Sequence, residues 1–219
     1  MLRINRFPLA WYRERIDRGE TFSLARIGDG EAGGILQRVR STGKRTQMFV
    51  KPLLAGLERV ILDDRPDVFV AGRFGVYKKP FSDWCAAKRV SREWHNAEVF
   101  VDAYVDGDLY PITRVERRIV LVGPRHLESL GFPSAFIRIP AQNAFDVIGV
   151  TRRRIETVTN PGDVILIAGG PVAKLLAHWV AVELGDRWCL DVGSVFDPLT
   201  LNGITRGYHR KRKALEVTL

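Results

Sequence analysis

Three runs in the chain, Val68-Phe69-Val70-Ala71, Ile119-Val120-Leu121-Val122 and Val164-Ile165-Leu166-Ile167-Ala168, are apolar at every position rather than at alternate ones. A strand with one wet face alternates, so unbroken runs of this length point to strands covered on both faces. Each run closes on a glycine, at Gly72, Gly123 and Gly169. Beyond the last of these, Val172, Leu175, Leu176, Trp179 and Val180 recur at helical spacing, and Leu53, Leu54, Leu57, Val60 and Ile61 form a clearer stripe of the same kind. Pro8 ahead of Leu9–Ile16 reads as a helix opening, and Ile35, Leu36 and Val39 suggest another helix. Thr21–Ala25 is a further strand-like run. Repeated strand, glycine, helix units imply an α/β fold with a mostly parallel central sheet flanked by helices.

The 219 residues suffice for one substantial domain with a real core, read as 1–219, and no repeat, low-complexity segment or linker interrupts them. The stretch 77–110 is the least regular and reads as a lid or an insertion facing a second substrate. Cys85 and Cys189 are far apart and form no CxxC pair, so they read as reduced packing thiols. The N-terminus lacks the apolar run of a secretion signal and no segment approaches the length of a bilayer span, which leads us to expect a soluble, cytoplasmic protein. A formal charge of +9 favours anionic partners such as nucleic acid, nucleotides or acidic membranes. It is densest in a basic tail, 206–219, where Arg206, Arg210, Lys211, Arg212 and Lys213 crowd around Tyr208 and His209.

Candidate chemistry concentrates in Arg26-Ile27-Gly28-Asp29-Gly30-Glu31, two carboxylates one residue apart at the end of a strand-like run. Hard oxygen ligands of this kind suit Mg2+ or Mn2+ shared with a substrate phosphate. Gly28 and Gly30 allow a sharp turn and a close approach to a ligand. The alternative is a tight turn that caps the next helix, with Asp29 as N-cap and Glu31 in the first turn. Gly169-Gly170-Pro171 offers a helix start to a phosphate, with Lys174 adding a point charge, or else simply begins a helix. Arg125 and His126 occupy the equivalent place after Gly123-Pro124. Open parallel sheets bind ligands beyond the carboxyl ends of their strands, where Asp29, Arg73, Arg125 and Gly170 would project. Aromatic and basic residues mingle from Arg73 to Phe81 and at Trp84, Lys88, Arg89, Arg92 and Trp94, a mixture suited either to stacking on sugars and bases or to a core with solvated neighbours.

With those residues placed, the chain resembles the GT-D type glycosyltransferases, a Rossmann-like group whose Asp-x-Glu motif lies in a similar Gly-Asp-Gly-Glu context. Ile139–Phe145 is similar to the family's segment ending in Asn-Ala-Phe, Leu166–Lys174 to its strand-Gly-Pro-x-Ala-Lys turn, and Leu190–Asp197 to its closing Asp-Ile-Gly segment. Order and distances fit over roughly Phe22 to Asp197. The chain departs from the pattern at Ile27, where an aromatic is common, and at Ser194, where we expect histidine.

The resemblance implies a metal-dependent transferase using a nucleotide-sugar donor, with a UDP-sugar favoured. Asp29 and Glu31 would hold Mn2+ or Mg2+, and Arg26, Gly28, Gly30, Arg125, Asn143, Gly169, Gly170 and Lys174 would form the donor side. An inverting transferase needs a general base, for which Asp191, Asp197 and His209 are candidates and Asp197, at a strand end, is preferred. Arg73, Tyr77, Lys78 and His209 would face the acceptor, a glycan by resemblance or a nucleic acid by charge. The competing reading is a non-catalytic nucleic-acid-binding module on the same fold. A dinucleotide-dependent oxidoreductase is disfavoured because no Gly-x-Gly-x-x-Gly follows the first strand.

Overall fold

The computed structural model describes residues 2–41 and 47–200; the basic tail, with His209, lies outside the described residues. In chain order the elements are β1 (Ile4–Asn5), α1 (Leu9–Asp17), β2 (Ser23–Ile27), α2 (Asp29–Ile35), α3 (Lys51–Leu62), β3 (Val68–Gly72), α4 (Lys78–Ala87), β4 (Trp94–Asn96), α5 (Val99–Asp106), α6 (Tyr110–Thr113), β5 (Ile119–Gly123), β6 (Ala135–Arg138), α7 (Ile148–Val158), β7 (Val164–Ile167), α8 (Pro171–Trp179), β8 (Trp188–Asp191) and α9 (Asp197–Thr200).

Eight strands form one sheet in the order β1-β4-β3-β2-β8-β7-β5-β6, and every pairing is parallel. The unbroken apolar runs have the reason expected of them. Along β7, Val164 and Leu166 pack into the core that holds α1, α5 and α6, while Ile165 and Ile167 pack on the opposite face beneath α7 and α8. Side chains alternate across a strand, so two covered faces demand apolar residues at both parities. Helix α3 buries Leu53, Leu57, Val60 and Ile61, spaced as one helical stripe, against the sheet face built by Ala25, Ile27, Val68 and Val70.

The stretch 77–110, expected to be a lid or insertion, carries α4, β4 and α5, with β4 hydrogen-bonded between β1 and β3 inside the sheet. Three strands escaped the sequence reading: β1 and β4 have only 2 and 3 residues, and β6 is half-exposed. Three aromatics of this region are core, while Tyr77 and Trp84 are half-buried against it. Phe74, Phe81 and Trp94 are buried, and Phe74 stacks on Phe81 at 4.5 Å, so these rings are not available to stack on a ligand. Both cysteines are buried and free; burial pushes the Cys85 thiol up to about 12 and Cys189 well above its ordinary value. No described helix is long and apolar enough to cross a membrane.

Chain direction through the sheet decides where a ligand can go. From β2 the chain proceeds outward to β3 and β4, whereas the second half enters at β5, reaches the far edge at β6 and then works back through β7 to β8, which pairs with the other side of β2. That reversal leaves the loops after β2 and β8 diverging to opposite faces, and a crevice opens between them at the strands' carboxyl ends.

Candidate functional site

A cavity of about 1040 Å³ occupies that crevice. Its floor comes from the turns after three neighbouring strands: Gly28, Asp29 and Gly30 after β2, Gly193 and Ser194 after β8, and Ala168, Gly169 and Gly170 after β7. One wall is α5 and the residues before it, with Glu98, Asp102 and Asp106 at i, i+4 and i+8; the other is Pro124 and His126 after β5 with Pro140 and Ala141 after β6.

Beneath the floor lies a buried charge cluster. The Lys174 ammonium donates to the Gly170 carbonyl at 2.9 Å and pairs with Glu31 Oε1 at 3.2 Å and Asp191 Oδ2 at 3.0 Å. All three side chains are nearly inaccessible, at 7%, 10% and 1% exposure, so the ions are compensated by one another rather than by water. Glu31 Oε2 also accepts the Gly28 N–H at 3.0 Å, and Asp191 accepts the N–H groups of Arg26 at 3.2 Å and Gly193 at 3.1 Å. The cluster thereby clips the turn after β2 to the turn after β8. Burial pushes the Glu31 carboxyl up, but Lys174 and the backbone N–H groups outweigh it and hold it below its ordinary range. Burial likewise works against the Lys174 charge, and Asp191 with Glu31 overcomes it, raising the ammonium above its ordinary value.

Asp29, two residues from Glu31, has the opposite environment. It opens α2 as its first residue, with Gly28 as the cap, and its exposed carboxylate faces the cavity. Burial, together with the negative charges of Glu31 and Glu98, raises it above the ordinary carboxylate range against the opposing pull of Arg73, which pairs with Glu98 at 3.1 Å. Gly75 lies against it: its φ is +39°, and a Cβ there would stand 2.8 Å from Asp29 Oδ1. The Gly28 backbone, at φ −101°, is ordinary extended chain; what that position requires is room, since a Cβ would meet Glu31 Oε2 at 3.2 Å.

Arg26 reaches across the floor. Its Nη1 donates to the Val192 carbonyl at 3.0 Å, its guanidinium lies 5.3 Å from the Phe100 ring, and its buried Nε has no hydrogen-bond partner among the described residues. On the far wall, His126 Nε2 and Asp197 Oδ1 are 3.0 Å apart, bringing together residues 71 positions distant in the chain.

Of the expected site residues, Arg26, Gly28, Asp29, Gly30, Glu31, Arg73, Gly169, Gly170, Lys174 and Asp197 all border this cavity. Lys174, expected to meet phosphate, has its ammonium occupied by Glu31, Asp191 and Gly170 because it points inward from α8 instead of out along the helix end. Glu31, expected beside Asp29 on a metal, has both oxygens engaged by Lys174 and Gly28. Asn143, Arg125, Tyr77 and Lys78 are not among its lining residues: Asn143 accepts the Met48 N–H at 3.2 Å, and Arg125 borders a separate, smaller cavity. The acidic stripe on α5 was missed, although its i, i+4, i+8 spacing is visible at Glu98, Asp102 and Asp106.

Among the described residues no group of three or more His, Cys, Asp or Glu side chains could hold a metal ion by itself. One carboxylate, that of Asp29, faces outward into the cavity.

No family model matches the chain, and no curated protein matches it in sequence. The fold, by contrast, is that of solved structures. A protein described as a new glycosyltransferase (domain of unknown function 1792) from Streptococcus sanguinis superposes with a TM-score of 0.66 at 13% identity, over 96% of this chain and 98% of that one. A second, described as the highly conserved domain of unknown function 1792 with a distinct glycosyltransferase fold, gives 0.65 at 14% identity over 99% and 91%. A third structure of that domain gives 0.63 at 13% identity over 95% and 94%. The chain therefore has this glycosyltransferase fold along nearly its whole length.

Proposed function

We propose that the chain is a glycosyltransferase of the GT-D type that transfers a sugar from a UDP-sugar to a hydroxyl acceptor. The observation that carries this is the cleft: in a fold shared with glycosyltransferases, the topological switch point presents an outward Asp29 on a tight turn opposite the glycine turn that begins α8. The diphosphate is read as lying between these two turns. Asp29 would hold a Mn2+ or Mg2+ carried in with the diphosphate, and such an ion supplies neutralisation of the charge that develops on the leaving group. The chain's own contribution is to fix that geometry. Glu31, Lys174 and Asp191 lock the turns after β2 and β8 at a set distance, so Asp29 is held in place rather than found by search.

The acceptor is read as a glycan-type hydroxyl. With Phe74, Phe81 and Trp94 in the core, a nucleic-acid acceptor rests chiefly on the net charge of +9. Calorimetric titration with UDP tests the donor site without needing the acceptor. Binding that requires Mn2+ or Mg2+ and is lost in Asp29→Ala supports the reading, and turnover of sugar nucleotides would follow as release of UDP. No binding to the unmodified protein under any metal condition, with no UDP released from any UDP-sugar, would overturn it.

A further inference from the structure

We propose that His126 takes the proton of the acceptor hydroxyl, that Asp197 positions its ring, and that the acceptor enters through the smaller cavity opening at His126. The assignment rests on reading the cleft as a sugar-transfer site, and it moves the base from Asp197, the residue the sequence favours, to its partner.

The placement is specific. His126 lies in the short 3-10 turn Arg125–Ser129 after β5, and Asp197 is the first residue of α9 after β8. Both side chains border the large cavity and both are mostly buried, at 24% and 17% exposure. A second cavity of about 640 Å³ shares Pro124, His126, Pro140 and Ala141 with the first and continues to Arg125 and Arg138. His126 thus stands at the junction of the two spaces, one lined by Asp29 and the glycine turns, the other by Arg125, Ser129 and Arg138.

Hydrogen bonding assigns the ring nitrogens. Asp197 accepts from Nε2–H at 3.0 Å, which leaves the lone pair on Nδ1, and no side chain or backbone group among the described residues is hydrogen-bonded to Nδ1. A carboxylate that fixes the tautomer and stabilises the imidazolium formed on proton transfer is the recurring arrangement for a histidine base. The comparison within the molecule is His178 with Asp63, the same pair at 2.6 Å, which borders neither cavity. Location, not pairing, singles out His126.

The step balances as a single displacement. Nδ1 accepts the acceptor's hydroxyl proton while that oxygen bonds to the anomeric carbon, and the bond from that carbon to the diphosphate oxygen breaks with its electron pair leaving on UDP. Asp197 stays ionised and hydrogen-bonded throughout.

The test uses UDP-sugars as probe with water as the acceptor, reading UDP release. His126→Gln should keep UDP affinity within about 2-fold while release slows by about 100-fold or more, the size general-base removal produces. Asp197→Asn should fall between it and the unmodified protein. In His126→Ala, added imidazole should restore part of the rate, which a merely structural loss would not allow. If His126→Gln releases UDP at the unmodified rate, or imidazole fails to restore a His126→Ala protein with intact UDP affinity, the assignment is overturned and the transferase reading survives. If the unmodified protein releases UDP from no UDP-sugar, the transferase reading fails, and this assignment fails with it.

Discussion

The floor and the rim of the cleft use the same residue types to opposite ends. In the floor, Glu31, Lys174 and Asp191 are shut away from water and satisfied by each other; at the rim, Asp29, Arg73 and Glu98 are open to solvent and interact loosely. Buried ions are tolerated only when fully paired, so every member of the floor cluster is tied to the fold. Exposed ions add little to stability and are free to meet a ligand. The two carboxylates of one short motif fall on opposite sides of this divide, although only Gly30 separates them.

Stability measurements sharpen the contrast most. Lys174→Met strands two buried carboxylates and should cost about 3–5 kcal/mol in denaturant unfolding, while Asp29→Asn should stay within about 0.5 kcal/mol. Equal costs would break the comparison.

A smaller effect is expected beside the rim carboxylate. Gly75→Ala places a Cβ against the Asp29 carboxylate at φ +39° and should cost about 1–2 kcal/mol. It should also weaken metal-dependent UDP binding by displacing Asp29, even though Gly75 offers no side chain to a ligand. Unchanged UDP affinity in a destabilised Gly75→Ala protein would show that Asp29 is not held by this contact.

Titration by carboxyl-carbon NMR separates the pair without mutation. Glu31 should titrate below its ordinary 4.5 and Asp29 above its ordinary 3.8. The linked stability has opposite signs. The Glu31 contribution is present above its unfolded value and lost as pH falls through the lowered folded value; the Lys174 contribution is full below 10.5 and lost as pH rises through the raised folded value. Asp29 favours folding in its protonated form, a contribution that disappears as pH rises from 3.8 through its raised value. Finding Asp29 and Glu31 shifted in the same direction would contradict the divided environment.

The smallest expected change is at the rim pair. Glu98→Gln removes one exposed ion pair, worth under about 1 kcal/mol, and should move the Asp29 titration down because a nearby negative charge is lost.

Much of this architecture is legible in residue order because burial on both faces of a parallel sheet leaves a pattern that water-facing strands cannot have. The runs at Val68, Ile119 and Val164 and the stripe on α3 all carry it. Short strands escape for the same reason: β4, with 3 residues, gives no period to read, and its neighbourhood looked like an insertion. In the candidate site, residue type was readable where direction was not. A lysine four residues into a helix that follows a glycine turn invites a phosphate reading, and only the packing of α8 across β2 and β8 shows it turned inward. The His126–Asp197 pair had no local signal at all, since its members are brought together by the return of the chain from β5 through β7 to β8.

Sequence by itself determined the parallel α/β sheet, the turn that carries Asp29 and the carboxyl edge on which the cleft opens, because these follow from local periodicity, glycine turns and the handed geometry of strand and helix units. Tertiary structure alone decided which carboxylate is buried, which lysine is neutralised and which histidine meets an aspartate at the junction of two cavities. Those outcomes depend on distances between segments that are far apart in the chain, and electrostatic character is set by burial and partners, which the order of residues does not contain.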